Sequence, residues 1–96
     1  MKNMTLGIHY PKQKHKQDLL YATQKIAQQA RKLDGLVDTG AWLDEATERV
    51  IMMSMLESEA AAMQARPMLG PLVKDFPFSD WESQPPEQLI NLVRAV

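Results

Sequence analysis

The stretch Val50-Ile-Met-Met-Ser-Met-Leu56 is apolar at six of its seven positions, and a second stretch, Leu89 to Val96, is interrupted only by Asn91 and Arg94. Successive side chains of a β-strand point to opposite faces of its sheet, so a strand that lacks polar alternation must be covered on both faces. The remainder of the chain predicts enough helix for one face only. We therefore expect that something outside the chain, most simply a second copy of it, covers the other face.

Working outward from these two stretches, the pattern predicts the element order strand, helix, strand, strand, helix, strand. Alternation over residues 3–10 before a proline is typical of a strand, and apolar residues at three- and four-residue steps from about 17 to 33 indicate a helix. Gly35 stands where a left-handed helix cap is expected. A short second strand follows over 36–43, with Gly40 as a bulge or a point of close approach.

The second half of the chain predicts a helix that proline residues interrupt. Ser58 resembles an N-cap and is followed by several good helix formers. Pro67 and Pro71 should break or kink this helix, with a shorter helical piece after Pro71. Residues 76–81 are expected to form an ordered loop with aromatic anchors, and residues 88–96 are expected to form the last strand.

This element order predicts an α+β, ferredoxin-like βαββαβ fold: a four-stranded antiparallel sheet with both helices on one face, in a single domain over residues 1–96. On the third strand, Met52 and Ser54 would face one way while Ile51, Met53 and Met55 face the other. Several hundred Å² of bare apolar sheet, at about 25 cal/mol per Å², favours association by several kcal/mol per subunit before its costs. We therefore expect a homodimer, in the form of a dimeric α+β barrel.

Composition excludes several classes of function. The chain has 96 residues, with 11 Lys and Arg against 12 Asp and Glu and a net charge of -1, so it lacks the basic surface that nucleic acid requires. It contains no Cys, which excludes disulfides and thiol chemistry. It also lacks a signal-peptide pattern and any apolar stretch long enough to span a bilayer. We expect a cytoplasmic protein that binds neither nucleic acid nor membrane.

Three stretches resemble the antibiotic biosynthesis monooxygenase family of the dimeric α+β barrel superfamily. They are Leu33-Asp-Gly-Leu-Val37, Trp42-Leu-Asp44 and Arg49-Val-Ile-Met-Met-Ser-Met-Leu-Glu-Ser-Glu-Ala60. In that family a helix ends in a glycine, a hairpin follows, and the second helix opens with Ser and Glu-Ala. The resemblance implies a homodimer and a small-molecule ligand.

The same resemblance implies a choice among activities, because the family includes cofactor-free oxygenases of aromatic compounds and haem-degrading enzymes. Members with oxygen chemistry often carry Trp at the end of the third strand, where this chain has Leu56. The haem-degrading members place a His ligand in the second helix, and residues 58–76 contain no His. Haem degradation is therefore disfavoured, and no cofactor is expected.

His9 and Asn91 are the candidate catalytic residues. His9 lies on the less apolar face of the first strand and could supply a base or a hydrogen bond to a phenol, although a structural histidine is the alternative. Asn91 interrupts an apolar run and needs a hydrogen-bond partner, which could be a ligand, another side chain or water. His9 and His15 do not have a metal-binding spacing, so no metal site is predicted.

Trp42, Met53 and Trp81 are the candidate substrate-binding residues, and packing is the alternative role for each. Two functions remain open on the sequence alone. The chain could be a cofactor-independent oxygenase of an aromatic or polyketide-like molecule, in which His9 and Asn91 orient a hydroxyl group. It could instead be a non-catalytic dimeric domain for small-molecule binding or assembly. A cavity reached by His9 or Asn91 favours the first function, and an interior filled by methionines favours the second.

Overall fold

A computed structural model describes residues 1–96 and contains a four-stranded antiparallel sheet with the strand order β2-β3-β1-β4. The predicted ferredoxin-like α+β fold is confirmed. None of the helices combines the length and the apolar character needed to cross a bilayer. The elements are β1 (Asn3–His9), a single 3₁₀ turn (Gln13–His15), α1 (Lys16–Ala30), β2 (Leu36–Asp44), β3 (Arg49–Leu56), α2 (Glu59–Lys74), α3 (Phe78–Trp81) and β4 (Glu87–Val93).

Helix α1 buries one apolar stripe and ends close to the predicted glycine. Leu19 and Ala22 are fully buried and pack with Ile26 against Val50 of β3. Gly35 has φ of 80°, as a left-handed cap requires. A Cβ at Gly35 would lie 2.8 Å from the Cβ of Ala61, so this turn also brings the chain close to α2.

Helix α2 begins as predicted but is not broken by its prolines. The hydroxyl of Ser58 accepts a hydrogen bond of 3.1 Å from the backbone N–H of Ala61, which confirms the N-cap. The helix then continues through Pro67 and Pro71 to Lys74, so the predicted break and the separate helical piece after Pro71 are wrong, and the kink stays a prediction. Both prolines lie on the exposed side, while the opposite side packs against the two hydrophobic clusters of the core; this packing outweighs the lost backbone hydrogen bonds.

The two faces of the sheet differ in what covers them. Helices α1 and α2 pack on the face that carries Val50 and Leu56, which we call the covered face. The opposite face, which we call the open face, has nothing over it. Its apolar residues come from all four strands: Met4, Leu6, Ile8, Trp42, Ile51, Met53, Met55, Leu89 and Leu92. Only 15 of the 96 residues are buried, because half of the sheet surface is left bare.

Two irregularities in the strands differ from the sequence-based expectations. The register of β2 shifts between Leu36 and Asp38, so the bulge predicted at Gly40 is wrong, and a Cβ at Gly40 would meet nothing within 4 Å. A second shift places two residues of β4, Ile90 and Asn91, opposite Thr5. Simple alternation along β4 therefore fails, because this bulge puts Leu89 and Leu92 on the same face.

Candidate functional site

A cavity of about 330 Å³ lies between the covered face of the sheet and helix α2. This volume is in the range of small-molecule sites. Its walls are largely apolar, and the polar side chains that reach it include His9, Ser54, Arg66 and Gln88. The lining residues are Thr5, Leu6, Gly7 and His9 of β1, Ile26 of α1, Met52, Ser54 and Leu56 of β3, Ala62, Ala65, Arg66, Leu69, Gly70 and Val73 of α2, Phe78 of α3, and Gln88 and Ile90 of β4.

A buried histidine–carboxylate pair forms one wall of this cavity. The Nδ1 atom of His9 lies 3.1 Å from Oε1 of Glu82, and the two side chains are only 11% and 2% exposed. The same Oε1 accepts a hydrogen bond of 3.0 Å from the backbone N–H of Tyr10. The other carboxylate oxygen of Glu82, Oε2, is buried without a hydrogen-bond partner. Contacts with His9 and with the backbone of Tyr10 hold the carboxylate of Glu82 in one position in the wall of the cavity.

A short extension of β1 brings Glu82 to His9. Pro11 and Glu82 form an isolated antiparallel bridge, with the backbone N–H of Lys12 donating to the carbonyl of Trp81 at 2.7 Å. The backbone N–H of Ser83 donates to the carbonyl of Tyr10 at 2.8 Å. The segment after α3 is therefore held against the end of β1, and Glu82 is fixed beside His9 although 73 residues separate them.

Gly7 leaves free space beside the other ring nitrogen of His9. A Cβ at Gly7 would lie 3.4 Å from Nε2 of His9, and both residues line the cavity. The ring of Phe78 packs against the imidazole at a centroid distance of 5.3 Å and limits its rotation. Because Nδ1 is held by Glu82, Nε2 is the nitrogen that a ligand in the cavity can reach.

This arrangement is suited to proton transfer. With Nδ1–H donated to Glu82, the unprotonated Nε2 can accept a proton from a ligand, and the resulting imidazolium is paired with a carboxylate that does not leave its position. The apolar walls favour a hydrophobic ligand and keep water away from the reacting atoms. No group of three or more His, Cys, Asp or Glu side chains is placed to hold a metal ion.

The two predicted catalytic residues do not meet in the cavity. His9 lines it, whereas Asn91 lies at the bulge of β4 and is not part of the lining. Asn91 adopts a left-handed backbone with φ of 62°, and its side-chain Oδ1 accepts a hydrogen bond from Nδ2 of the buried Asn3. The sequence left a ligand, another side chain or water open as the partner of Asn91. In the structure the partner is the side chain of Asn3 on β1.

The three predicted substrate-binding residues also lie outside the cavity lining. Trp42 and Met53 are on the open face, and Trp42 is 63% exposed. Trp81 packs in the aromatic cluster around Phe78, at a ring distance of 5.6 Å. A substrate bound in the cavity would therefore not touch Trp42 or Met53, and any ligand of theirs would have to bind at the open face.

Glu82 and Gly7 were missed by sequence reasoning. No local pattern marks Glu82, because its position depends on the isolated bridge with Pro11, just after the end of β1. Gly7 could have been noticed, since a glycine inside a strand often marks close approach of a ligand or of another chain segment.

Several polar side chains lie together at one end of the open face. The hydroxyl of Tyr10 donates a hydrogen bond of 2.8 Å to Glu87, which raises the pKa of the phenol. Asp44 accepts hydrogen bonds from Thr47 at 2.7 Å and from Arg49 at 3.0 Å, and these lower the pKa of its carboxyl. The centre of the open face is apolar, so this end resembles the polar rim of an interface.

Comparison with known structures shows that this fold is shared along the whole chain. Rv0793 from Mycobacterium tuberculosis is 13% identical, with 100% of each chain covered and a TM-score of 0.77. A candidate antibiotic biosynthesis monooxygenase from Nitrosomonas europaea is 14% identical, with 93% of this chain and 86% of that chain covered and a TM-score of 0.78. A point variant of SnoaB, a cofactor-independent oxygenase from Streptomyces nogalater, is 9% identical, with 99% and 95% covered and a TM-score of 0.78.

The chain has the fold of the antibiotic biosynthesis monooxygenases. No protein-family model matches its sequence, and no curated protein matches it either. The similarity is therefore one of backbone architecture, and the activity must be argued from the cavity.

Proposed function

We propose that this chain is a homodimeric, cofactor-independent oxygenase that acts on an aromatic or polyketide-like small molecule bound in the cavity. The observation that carries the proposal is the buried pair of His9 and Glu82 in the wall of an apolar cavity of about 330 Å³. His9 lines the cavity, and Glu82 holds its ring in one orientation. A base that is held in this way beside a ligand site is a candidate for proton transfer. The structural similarity to SnoaB agrees with this class of reaction.

The proposed reaction begins with proton transfer to Nε2 of His9. Removal of a proton from an activated phenol or from the C–H next to it gives an electron-rich anion, which passes one electron to O₂. The two radicals combine to form a C–O bond, and the imidazolium returns the proton to the peroxide. Loss of water then converts a ring CH₂ to a ketone. One O₂ is consumed, one water is released, and all electrons come from the substrate.

The role proposed for the protein is to orient the substrate, to take up and return one proton, and to exclude water. Glu82 holds the His9 ring and pairs with its charged form, so Glu82 is a positioning residue. The open face takes no part in this chemistry. In the proposed dimer it packs against the same face of a second copy, which would shield Met53 and Trp42 from water.

Oxygen uptake tests this proposal with the second histidine as a matched control. A panel of anthrones, naphthols and aromatic quinols is offered to the wild type and to His9→Ala, His9→Gln and His15→Ala. His15 is the only other histidine, pairs with Asp18 at 3.0 Å and lies outside the cavity. Changes at His9 should lower kcat by about 10²- to 10⁴-fold, whereas His15→Ala should match the wild type. Turnover that survives both His9 variants would exclude this mechanism.

The second candidate is a non-catalytic dimeric domain that binds a small hydrophobic molecule. It is favoured by the lining itself, since 10 of the 17 lining residues are hydrophobic and can hold a ligand by burial alone. Ligands of the same panel that bind in calorimetry but consume no oxygen would select this function.

A further inference from the structure

A row of hydroxyl groups crosses the covered face of the sheet, among side chains that are mostly apolar. Thr5 of β1 is paired with Ser54 of β3, and Ser54 is paired with Thr39 of β2. Residues that lie directly opposite each other on adjacent strands project to the same face, so the three side chains are neighbours. Thr5 and Ser54 line the cavity, whereas Thr39 is buried and lies outside the lining.

The hydrogen bonds of Thr39 fix the direction of the hydroxyl proton of Ser54. The hydroxyl of Thr39 donates to the backbone carbonyl of Met53 at 3.1 Å, and a carbonyl oxygen can only accept. A second hydrogen bond, of 3.2 Å, joins Oγ1 of Thr39 to Oγ of Ser54. Because Thr39 has a single hydroxyl proton, which Met53 already accepts, Ser54 must be the donor in this second bond. The proton of Ser54 is therefore directed toward Thr39 and away from the ligand space.

With its proton held in this way, Ser54 offers only lone pairs to the cavity. A serine hydroxyl that can rotate serves as donor or as acceptor, so it does not distinguish a ligand hydroxyl from an ether oxygen. A hydroxyl whose proton is already committed can only accept. The surrounding walls are largely apolar, so an ether oxygen placed against Ser54 would lose its hydration and gain no hydrogen bond.

We propose that Ser54 is a specificity-determining residue of the cavity and that Thr39 is its positioning residue. The pair selects a ligand that presents an O–H or N–H donor to the covered face, and it disfavours the corresponding ether. This selection rests on the proposed function only in that the cavity binds a ligand. It requires no catalysis, and it adds the polar group that the ligand must carry.

Calorimetry with 4-ethylphenol and its methyl ether, 4-ethylanisole, compares a donor with a molecule that can only accept. We expect the wild type to bind the phenol about tenfold more tightly, because the ether forms no hydrogen bond with Ser54. Ser54→Ala should remove most of this preference. Thr39→Val keeps the shape of the side chain and leaves the lining unchanged, but it releases the proton of Ser54. It should reduce the preference by strengthening the binding of the ether, a gain that a purely structural role of Thr39 would not give.

Thr23→Val is the matched control. Thr23 is also a buried threonine whose hydroxyl donates to a backbone carbonyl, that of Leu20 at 2.8 Å, but it lies on α1 and outside the lining. This variant should keep the wild-type preference for the phenol. A preference that changes as much in Thr23→Val as in Thr39→Val would overturn the inference.

Three further results would overturn it: a wild type that binds the two probes equally or binds neither, a wild type that prefers the ether, or a preference that either Ser54→Ala or Thr39→Val leaves unchanged. A donor preference that depends on Ser54, in a protein without oxygen uptake, would support the selection and refute the oxygenase. Oxygen uptake that depends on His9, without a donor preference, would do the reverse. The two failures are therefore distinguishable.

Discussion

The covered and open faces of the sheet are built from similar apolar sequence but have different environments. On the covered face, Val50 is fully buried and Leu56 is 2% exposed, and a polar pair lies in a cavity among them. On the open face, Trp42 is 63% exposed and Leu89 is 45% exposed. A strand that is apolar on both faces can therefore serve two purposes. One face helps to enclose a site, and the other face is available for association.

The largest expected effect is on association through the open face. Met53→Lys would place two ammonium groups in a two-fold interface, one from each copy, without acidic partners. We expect the wild type to sediment as a dimer and the variant as a monomer, with the dissociation constant raised about a thousandfold or more.

Met63→Lys is the control for this change, because Met63 is 60% exposed on α2 and lies outside both the sheet and the cavity lining. It should remain dimeric. A wild type that stays monomeric at high protein concentration would refute the dimer and leave the cavity proposal standing.

The second prediction compares one leucine from each side of the sheet. Leu19 is fully buried under the covered face, so Leu19→Ala should lower the free energy of unfolding by about 2–5 kcal/mol at any protein concentration. Leu89 lies on the open face and outside the cavity lining, so the effect of Leu89→Ala should depend on association. Urea unfolding at two protein concentrations separates the two cases. An effect of Leu89→Ala that is independent of concentration would contradict the interface.

The third prediction concerns the helix that closes the cavity. Pro67 lies inside α2 and is exposed, so it removes a backbone hydrogen bond without filling the core. Pro67→Ala should raise the free energy of unfolding by about 1–2 kcal/mol. Alanine favours the helix, but proline also restricts the unfolded chain, and the loss of that restriction offsets part of the gain. Thermal and urea unfolding measure it. A loss of stability would mean that a bend at Pro67 is needed to cover the cavity.

The sequence predicted those features that have local signals. The alternation of β1, the stripe of α1, the glycine after it and the Ser58 cap depend on neighbouring residues, and all are present in the structure. The bulge at Asn91 and the continuity of α2 through Pro67 depend on packing against distant elements, so the local pattern misjudged them.

The candidate site was predictable only in part for the same reason. His9 was identified from its residue type and its strand face. Glu82 was not, because nothing near it in the sequence indicates that the chain returns to extend β1. The cavity also required knowledge of which face of the sheet the helices cover, and the apolar residues on both faces gave no preference.

The smallest expected effect lies at the polar end of the open face. The hydrogen bonds from Thr47 and Arg49 lower the pKa of Asp44 from its ordinary value of 3.8. A carboxyl whose pKa is lower in the folded state stabilises the fold above the unfolded value, and this contribution is lost as the pH falls through the folded value. The melting temperature of the wild type should therefore fall more steeply below pH 3.8 than that of Asp44→Asn, whose side chain does not titrate. The difference should be close to the limit of detection in a monomer, because the group is exposed to solvent. It should grow in the dimer, where the rim is partly covered. Equal slopes for the two proteins would show that these hydrogen bonds do not persist in solution.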